Sequence, residues 1–119
     1  MSKDEVLKAV LEDILENITV VDKRFNNVAS PDDFLGDETN IELFDSIVMR
    51  LQVLGELIKS IIKRDPEIIK NNDDIDWDSI VRMRDKISHH YADLDAEIIF
   101  DICKNYIPEL KQKVLKLIK

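Results

Sequence analysis

Hydrophobic residues recur every three or four positions along most of the chain, a spacing that places them on one side of an α-helix. The first such segment begins at a capping box, Ser2 followed by Glu5, and extends to about Val28. Its apolar positions are Val6, Val10, Ile14, Ile18, Val21, Phe25 and Val28. The pattern predicts one long amphipathic helix.

A short helical turn and a second long helix are predicted next. The stretch "SPDDFLG" at residues 30–36 combines a capping serine, a proline at the first helical position and a terminating glycine. The second helix is predicted from about Asp37 to Lys63. Gly55 lies inside it and costs roughly 1 kcal/mol relative to alanine. Either the close approach of another backbone or simple tolerance would explain this glycine.

A polar connector at residues 64–76, containing Pro66, separates the second long helix from the third. Asp76 or Asp78 is predicted to cap the third helix, whose apolar positions are Trp77, Ile80, Val81 and Ile87. Asp74, Asp76 and Asp78 also have the spacing of the first three ligands of a calcium loop. Ser79 stands where that loop needs glycine, so helix capping is the better interpretation.

The last predicted helix runs from about Asp95 to the C-terminus, after the stretch "YADLD" at residues 91–95 breaks the pattern. Pro108 removes one hydrogen bond from this helix and is expected to kink it. Four long helices with short connectors predict an all-α fold, an antiparallel bundle forming a single domain over residues 1–119.

Composition supports this fold class and narrows the functional classes. The 119 residues are 45% hydrophobic and 35% charged, with only two glycines and three prolines, which favours helices over a β-sandwich. The lone Cys103 excludes an internal disulfide and a cysteine-based zinc cluster, and its helical position predicts core packing. We therefore expect a cytoplasmic protein, with no membrane span and no signal peptide.

The net charge of −8 argues against binding nucleic acid through general electrostatics, because that affinity depends on lysine and arginine neutralising phosphates. An RNA-directed function needs a local basic site, and residues 82–90 offer one. Its basic residues are Arg82, Arg84, Lys86, His89 and His90, against the single acid Asp85. The alternative is an ordinary solvated helix face.

Arg84 stands out because an arginine is predicted on the apolar side of its helix. With Trp77 at 0° on a helical wheel, Arg84 falls at roughly 340° and Tyr91 at roughly 320°, inside the apolar arc. A half-buried guanidinium needs a partner, since desolvating an unpaired charge is costly. Glu56 or Asp95 could supply a structural ion pair. The site could instead bind an anion, because the guanidinium fork suits phosphate.

His89 follows Arg84 by five residues, which is about 140° around an ideal helix. The two side chains would meet only if the helix ends or unwinds near residues 88–90, or if a second subunit intervenes. An arginine and two histidines suffice for RNA cleavage without a metal ion, through proton transfer by imidazole and charge stabilisation by guanidinium. Surface histidines at a helix end are the alternative.

Arg84, His89 and Tyr91 fill the pattern R-x4-H-x-Y, in which the sequence resembles HepT-like toxins of the HEPN superfamily. The resemblance covers nearly the whole chain. It includes "LGELI" at residues 54–58, the helix start at Trp77 and "YIPEL" at residues 106–110. Asp95, after the motif, also fits.

The resemblance implies a helical bundle that forms a homodimer, bringing two copies of the motif to one cleft. It implies a metal-independent endoribonuclease without a cofactor, with Arg84 and His89 as active residues. We expect the neighbouring Asp85 and His90 to be supporting residues of this site. The implied partner is a nucleotidyltransferase antitoxin, which in some members attaches AMP to the tyrosine that corresponds to Tyr91. Asp85 departs from the family, where asparagine is common, and its carboxylate could compete with phosphate for Arg84.

Three functional hypotheses follow. The first is a ribonuclease toxin that acts on RNA and is neutralised by the nucleotidyltransferase. The second is a non-catalytic helical partner that binds and regulates a nucleotidyltransferase. The third is a plain helical bundle in which Arg84 has a structural role alone.

Overall fold

The computed structural model describes residues 2–118, apart from the side chain of Lys3. Its α-helices are α1 (Lys3–Phe25), α2 (Glu38–Arg64), α3 (Pro66–Asn71), α4 (Trp77–His90), α5 (Ala96–Asp101) and α6 (Ile107–Ile118). Two 3₁₀ turns, Pro31–Phe34 and Tyr91–Asp93, and a π turn, Ile102–Tyr106, complete the helical structure. No strand occurs in the described residues, and the all-α prediction is confirmed.

The first helix begins where the sequence predicts and ends earlier. Ser2 is the N-cap of α1, its hydroxyl accepting a hydrogen bond of 3.1 Å from the Glu5 amide. The helix ends at Phe25, before the predicted Val28, because Asn26 and Asn27 form a turn. Asparagine favours such turns, since its side chain competes for backbone hydrogen bonds.

The long helices enclose one apolar core, and α2 is its central element because it packs against both α1 and α4. Side chains link α1 and α2 in antiparallel order: Arg24 donates to the carbonyl of Ser46, and Arg50 donates to Asn17. The fully buried α2 side chains are Ile47, Val48, Leu51, Leu54, Ile58 and Ile61. In residues 2–118 we find no helix with the length and apolarity that crossing a membrane requires.

The acidic run before α4 caps that helix. Asp76 is the N-cap, and its carboxylate accepts a hydrogen bond of 3.1 Å from the Ser79 amide. Asp74 instead forms an ion pair with Lys113 at 2.6 Å, and this hydrogen bond lowers the pKa of the Asp74 carboxyl. Both contacts support the capping interpretation of this run.

The C-terminal helix continues through Pro108, and the disturbance takes the form of the π turn that precedes the proline. The amide of Ile107 donates to the carbonyl of Ile102, five residues back, so the backbone is wider here than in an α-helix. Cys103 lies in this turn and is buried, and burial raises the pKa of its thiol to about 12. Its predicted role in core packing is confirmed.

Gly55 lies at a close contact between α2 and α4. A Cβ atom built at Gly55 would lie 2.4 Å from the Cβ of Arg84 and 3.0 Å from the carbonyl oxygen of Ile80. Of the two explanations for this glycine, the structure supports close approach of a neighbouring helix. Gly55 therefore gives Arg84 its place beside α2.

Replacing Gly55 with alanine is expected to lower the free energy of unfolding by up to about 2 kcal/mol. Forcing a methyl group into this contact costs about 1–3 kcal/mol, and the gain in helix propensity offsets roughly 1 kcal/mol of that cost. Urea unfolding measures the change. Gly36→Ala is the matched control, because the new methyl group would meet only the end of the Asn40 side chain. Equal stability of both variants would contradict the close-approach explanation.

Candidate functional site

Three polar side-chain pairs connect α2 with α4 and with Tyr91, the residue that follows α4, and we call this line of contacts the α2–α4 seam. The pairs are Asp45–Tyr91, Gln52–Ser88 and Glu56–Arg84. The residue numbers rise along α2 as they fall along α4, so the two helices are antiparallel. The seam thus aligns two residues of the R-x4-H-x-Y motif, Arg84 and Tyr91, against a single face of α2.

Arg84 lies at one end of the seam, with 23% of its side chain exposed. One terminal nitrogen forms an ion pair with Glu56 and the other contacts the Asp85 carboxylate at 2.7 Å. The hydrogen bond to Asp85, followed by the charge and hydrogen bond of Glu56, raises the pKa of Arg84. The predicted ion pair with Glu56 is confirmed, whereas Asp95 is not a partner among the described residues.

The third guanidinium nitrogen of Arg84, Nε, is buried and has no hydrogen-bond partner within the described part of the chain. An unsatisfied buried donor is uncommon in folded proteins and is itself a cost to stability. The resting arrangement therefore satisfies the terminal nitrogens with carboxylates and leaves Nε unpaired. An anion that contacts Arg84 has to compete with Glu56 and Asp85.

The sequence indicates that the Asp85 carboxylate could compete with phosphate for Arg84, and in the structure Asp85 does contact Arg84. The carboxylate adjacent to the arginine occupies a nitrogen that a phosphate would need. Asp85 is about half exposed, so water solvates the carboxylate and the pair is more easily broken than a buried one. The structure thus shows the Asp85 carboxylate in contact with one terminal nitrogen of Arg84.

The two histidines lie at the end of α4 and are exposed. The chain stays helical through His89 and leaves the helical region at His90, where φ is −138° and ψ is 39°. His89 therefore keeps its helical position, about 140° around the axis from Arg84. Unwinding of the helix does not bring His89 to Arg84 within one chain.

Tyr91 lies just after this break, at the start of the 3₁₀ turn. Its hydroxyl donates a hydrogen bond to Asp45 of α2, although 49% of the residue remains exposed. The hydrogen bond from Tyr91 to Asp45, together with partial burial and the carboxylate charge, raises the pKa of the phenol to about 12. Tyr91 is thus both held in place and accessible.

A shallow groove of about 420 Å³ adjoins Tyr91 and is bordered by the side chains of both helices. Its lining residues are Asp45, Val48, Met49, Gln52, Ile87, Ser88 and Tyr91. Met49 is 67% exposed, and Val53, one turn further along α2, is 40% exposed. An apolar strip on α2 therefore lies open beside the motif.

Sequence reasoning did not identify Asp45 as part of the site. Asp45 precedes Gln52 by seven residues and Glu56 by eleven, spacings that keep all three on one side of α2. That periodicity is a usable signal, because Glu56 was already a predicted partner of Arg84. A polar stripe parallel to the apolar one would have pointed to Asp45.

The phenol of Tyr91 is expected to titrate near pH 12, against about 10 for an unperturbed tyrosine. Because the neutral phenol donates to Asp45, this stabilisation is complete below pH 10 and is lost as the pH rises through 12. Ultraviolet absorbance of Tyr106→Phe isolates the Tyr91 transition, and adding Asp45→Asn should move it back toward 10. A transition near 10 in the presence of Asp45 would contradict the hydrogen bond.

A protein-family model matches the part of the chain that contains the seam. The model of the family described as "Ribonuclease HepT-like" matches residues 14–117, which is most of the chain. The chain belongs to the HepT-like ribonuclease family. The resemblance carried by the R-x4-H-x-Y motif is therefore confirmed at the level of the family.

Relatives of this HepT-like protein span nearly its full length. A Methanocaldococcus jannaschii protein named "Putative RNase MJ0127" is 33% identical over 100% of this chain and 92% of its own length. A Thermococcus cleftensis protein named "Probable ribonuclease HepT" is 34% identical over 94% and 96% of the two chains. A longer M. jannaschii protein, "Gamma-glutamylcyclotransferase and putative RNase MJ0434", is 29% identical over 100% of this chain and 50% of its own length. No solved structure shows a significant match.

Proposed function

We propose that this HepT-like protein is a metal-independent endoribonuclease and the toxin of a toxin–antitoxin pair, with Arg84 and His89 as catalytic residues. Family membership supports the activity class, as do relatives whose names describe ribonucleases. The observation that carries the proposal is Arg84 itself, a partly buried guanidinium with one unsatisfied donor on the seam. A partly buried arginine with an unsatisfied donor is better suited to binding a phosphate than to a purely structural role.

Cleavage follows from the chemistry of these side chains. The 2′-oxygen of a ribose attacks the adjacent phosphorus while the bond from phosphorus to the 5′-oxygen breaks. His89 either accepts the proton of the 2′-hydroxyl while water protonates the leaving oxygen, or protonates the leaving oxygen while water accepts the proton of the 2′-hydroxyl. In both cases the guanidinium of Arg84 stabilises charge on the phosphate. His90 supplies a second imidazole beside His89, and Asp85 withdraws from Arg84 when the phosphate binds.

We propose that the active form is a homodimer. His89 and Arg84 lie on different sides of α4 in one chain, so a second subunit is the remaining way to bring the two groups to one phosphate. The exposed strip of Met49 and Val53 on α2 supplies apolar surface for such a contact. Light scattering at micromolar concentration tests this proposal, and a monomer under those conditions would rule out a shared cleft.

We further propose that a nucleotidyltransferase antitoxin neutralises the protein by attaching AMP to Tyr91. The exposure of the Tyr91 side chain and the orientation of its hydroxyl by Asp45 support this assignment. Incubation with the enzyme and ATP should add the mass of one adenylyl group to wild type and none to Tyr91→Phe. An equal mass gain in both proteins would move the modification to another residue.

A cleavage assay tests the ribonuclease proposal as a whole. Wild type is expected to cut RNA in excess EDTA and to slow growth when expressed alone, whereas His89→Ala purified in the same way should do neither. If both proteins leave RNA intact and neither slows growth, the ribonuclease proposal is wrong.

One observation favours a second candidate, a non-catalytic regulator of the nucleotidyltransferase. Both terminal nitrogens of Arg84 are occupied by carboxylates of the same chain, as expected for a structural arginine. This candidate predicts tight binding to the nucleotidyltransferase without cleavage of RNA by any variant. The same cleavage assay, paired with a binding measurement, separates the two functions.

A further inference from the structure

A row of basic side chains follows Glu56 along α2, immediately beyond the point where Arg84 meets that helix. It lines an open groove of about 490 Å³ formed by Glu56, Lys59, Ser60, Lys63 and Arg64. These residues recur at intervals of three and four, which places them on one side of the helix. We call Lys59, Lys63 and Arg64 the α2 basic strip.

The charges of the strip are available for a ligand. In residues 2–118 no carboxylate lies within ion-pair distance of Lys59 or Lys63, although Lys111 and Lys113 both have acidic partners. The one acid in the groove, Glu56, forms an ion pair with Arg84, which Asp85 also contacts. In a chain with 25 acidic and 17 basic side chains, three cations beside one ion-paired acid form a local positive surface.

Helix electrostatics explain only part of this strip. Cations are favoured in the last turn of a helix, which accounts for Lys63 and Arg64 at the end of α2. Lys59 lies more than a turn before that end, where the effect has faded. The helix dipole therefore does not explain why Lys59 aligns with Lys63, which lies one turn later.

The α2 basic strip begins next to the proposed active site and extends away from it along α2. Lys59 and Lys63 lie about 4.5 Å and about 10 Å beyond Glu56 along the axis of α2, given a rise of about 1.5 Å per residue. Ser88 and Tyr91 lie on the other side of Arg84 along the seam. A strand whose phosphate contacts Arg84 can extend along α2 so that its next phosphates meet the two lysines.

We propose that the α2 basic strip is a phosphate-binding track for single-stranded RNA, and that it holds the nucleotides on one side of the scissile phosphate. The position of the scissile phosphate at Arg84 rests on the proposed ribonuclease function. Arg64 donates to Ser60 at 3.3 Å, which orients its guanidinium along the same face of the helix. The track gives an acidic protein the local positive site that binding to RNA requires.

Binding of a fluorescein-labelled single-stranded oligoribonucleotide tests the track, measured by anisotropy in a His89→Ala background that spares the probe. Adding Lys59→Ala and Lys63→Ala should weaken binding by roughly an order of magnitude at low salt. The slope of log affinity against log salt should fall by about 1.4, because each contact with a single strand contributes about 0.7. The control adds Lys8→Ala and Lys23→Ala on α1, with the same charge change, and should bind like its parent.

The outcomes separate this inference from the proposed function. If the α2 pair binds RNA like the α1 pair, with the same salt slope, the track is wrong even where wild type cleaves RNA. If wild type binds RNA through the lysines without cleaving it, the track stands and the ribonuclease proposal fails. If the lysine variants lose affinity for the nucleotidyltransferase and keep it for RNA, the strip is a protein contact and the inference is overturned. Unchanged thermal unfolding of these surface variants confirms that each is folded.

Discussion

His89→Ala is expected to lower the kcat/KM of RNA cleavage by about 10²- to 10⁴-fold, the usual contribution of a group that transfers a proton in the transition state. The side chain is exposed at the end of α4, so its removal should leave the fold intact. RNA affinity should change little, because the proposed phosphate contacts come from Arg84 and the α2 basic strip. Cleavage of a labelled RNA in excess EDTA, with anisotropy on the same RNA, measures both quantities.

His90→Ala is the matched control for this prediction. His90 is the adjacent residue, is also exposed, and carries the same side chain, yet its backbone has already left the helix. We expect a change of a few-fold at most, as for a supporting imidazole. A larger loss from His90→Ala than from His89→Ala would transfer the proton-transfer role to His90.

The long helices of this fold could be predicted from the sequence because each buries one stripe of apolar residues against the core. The start of α4 could be predicted to within two residues, because Asp76 and Asp78 were both candidate caps, and the structure shows that Asp76 is the N-cap. The end of α1 could not, because Val28 continues the period of three and four although Asn26 and Asn27 turn the chain. Periodicity reports which residues face the core and does not report whether the backbone between them stays helical.

The features of the site that could be predicted differ from those that could not for the same physical reason. The partial burial of Arg84 follows from the helical wheel of its own helix and was predicted, whereas Glu56 was one of two candidate partners and the structure shows that it is the one that pairs. The hydrogen bond between Tyr91 and Asp45 depends on how the chain leaves α4 at His90, which is a three-dimensional property of the break. The role of Gly55 likewise required the actual distance between α2 and α4.

Arg84→Ala is expected to reduce the kcat/KM of cleavage by about 10²- to 10³-fold, as expected for the loss of one charged donor to the phosphate in the transition state. Folding should survive, because Glu56 and Asp85 are each about half exposed and remain hydrated without their cation. Asp85→Asn should act in the opposite direction and raise kcat/KM, since it releases a terminal nitrogen of Arg84 to the phosphate. Steady-state cleavage and urea unfolding of both variants measure these effects.

Mixing Arg84→Ala subunits with His89→Ala subunits shows which chains build the site. If Arg84 of one subunit acts with His89 of the other, a mixed dimer holds one complete pair and the mixture regains activity that neither variant has alone. If both groups act within one chain, every pair in the mixed dimer lacks one member and the mixture stays inactive. Because α4 stays helical through His89 and separates the two side chains by about 140°, we expect recovery. An inactive mixture in which mixed dimers are shown to form would contradict the shared site.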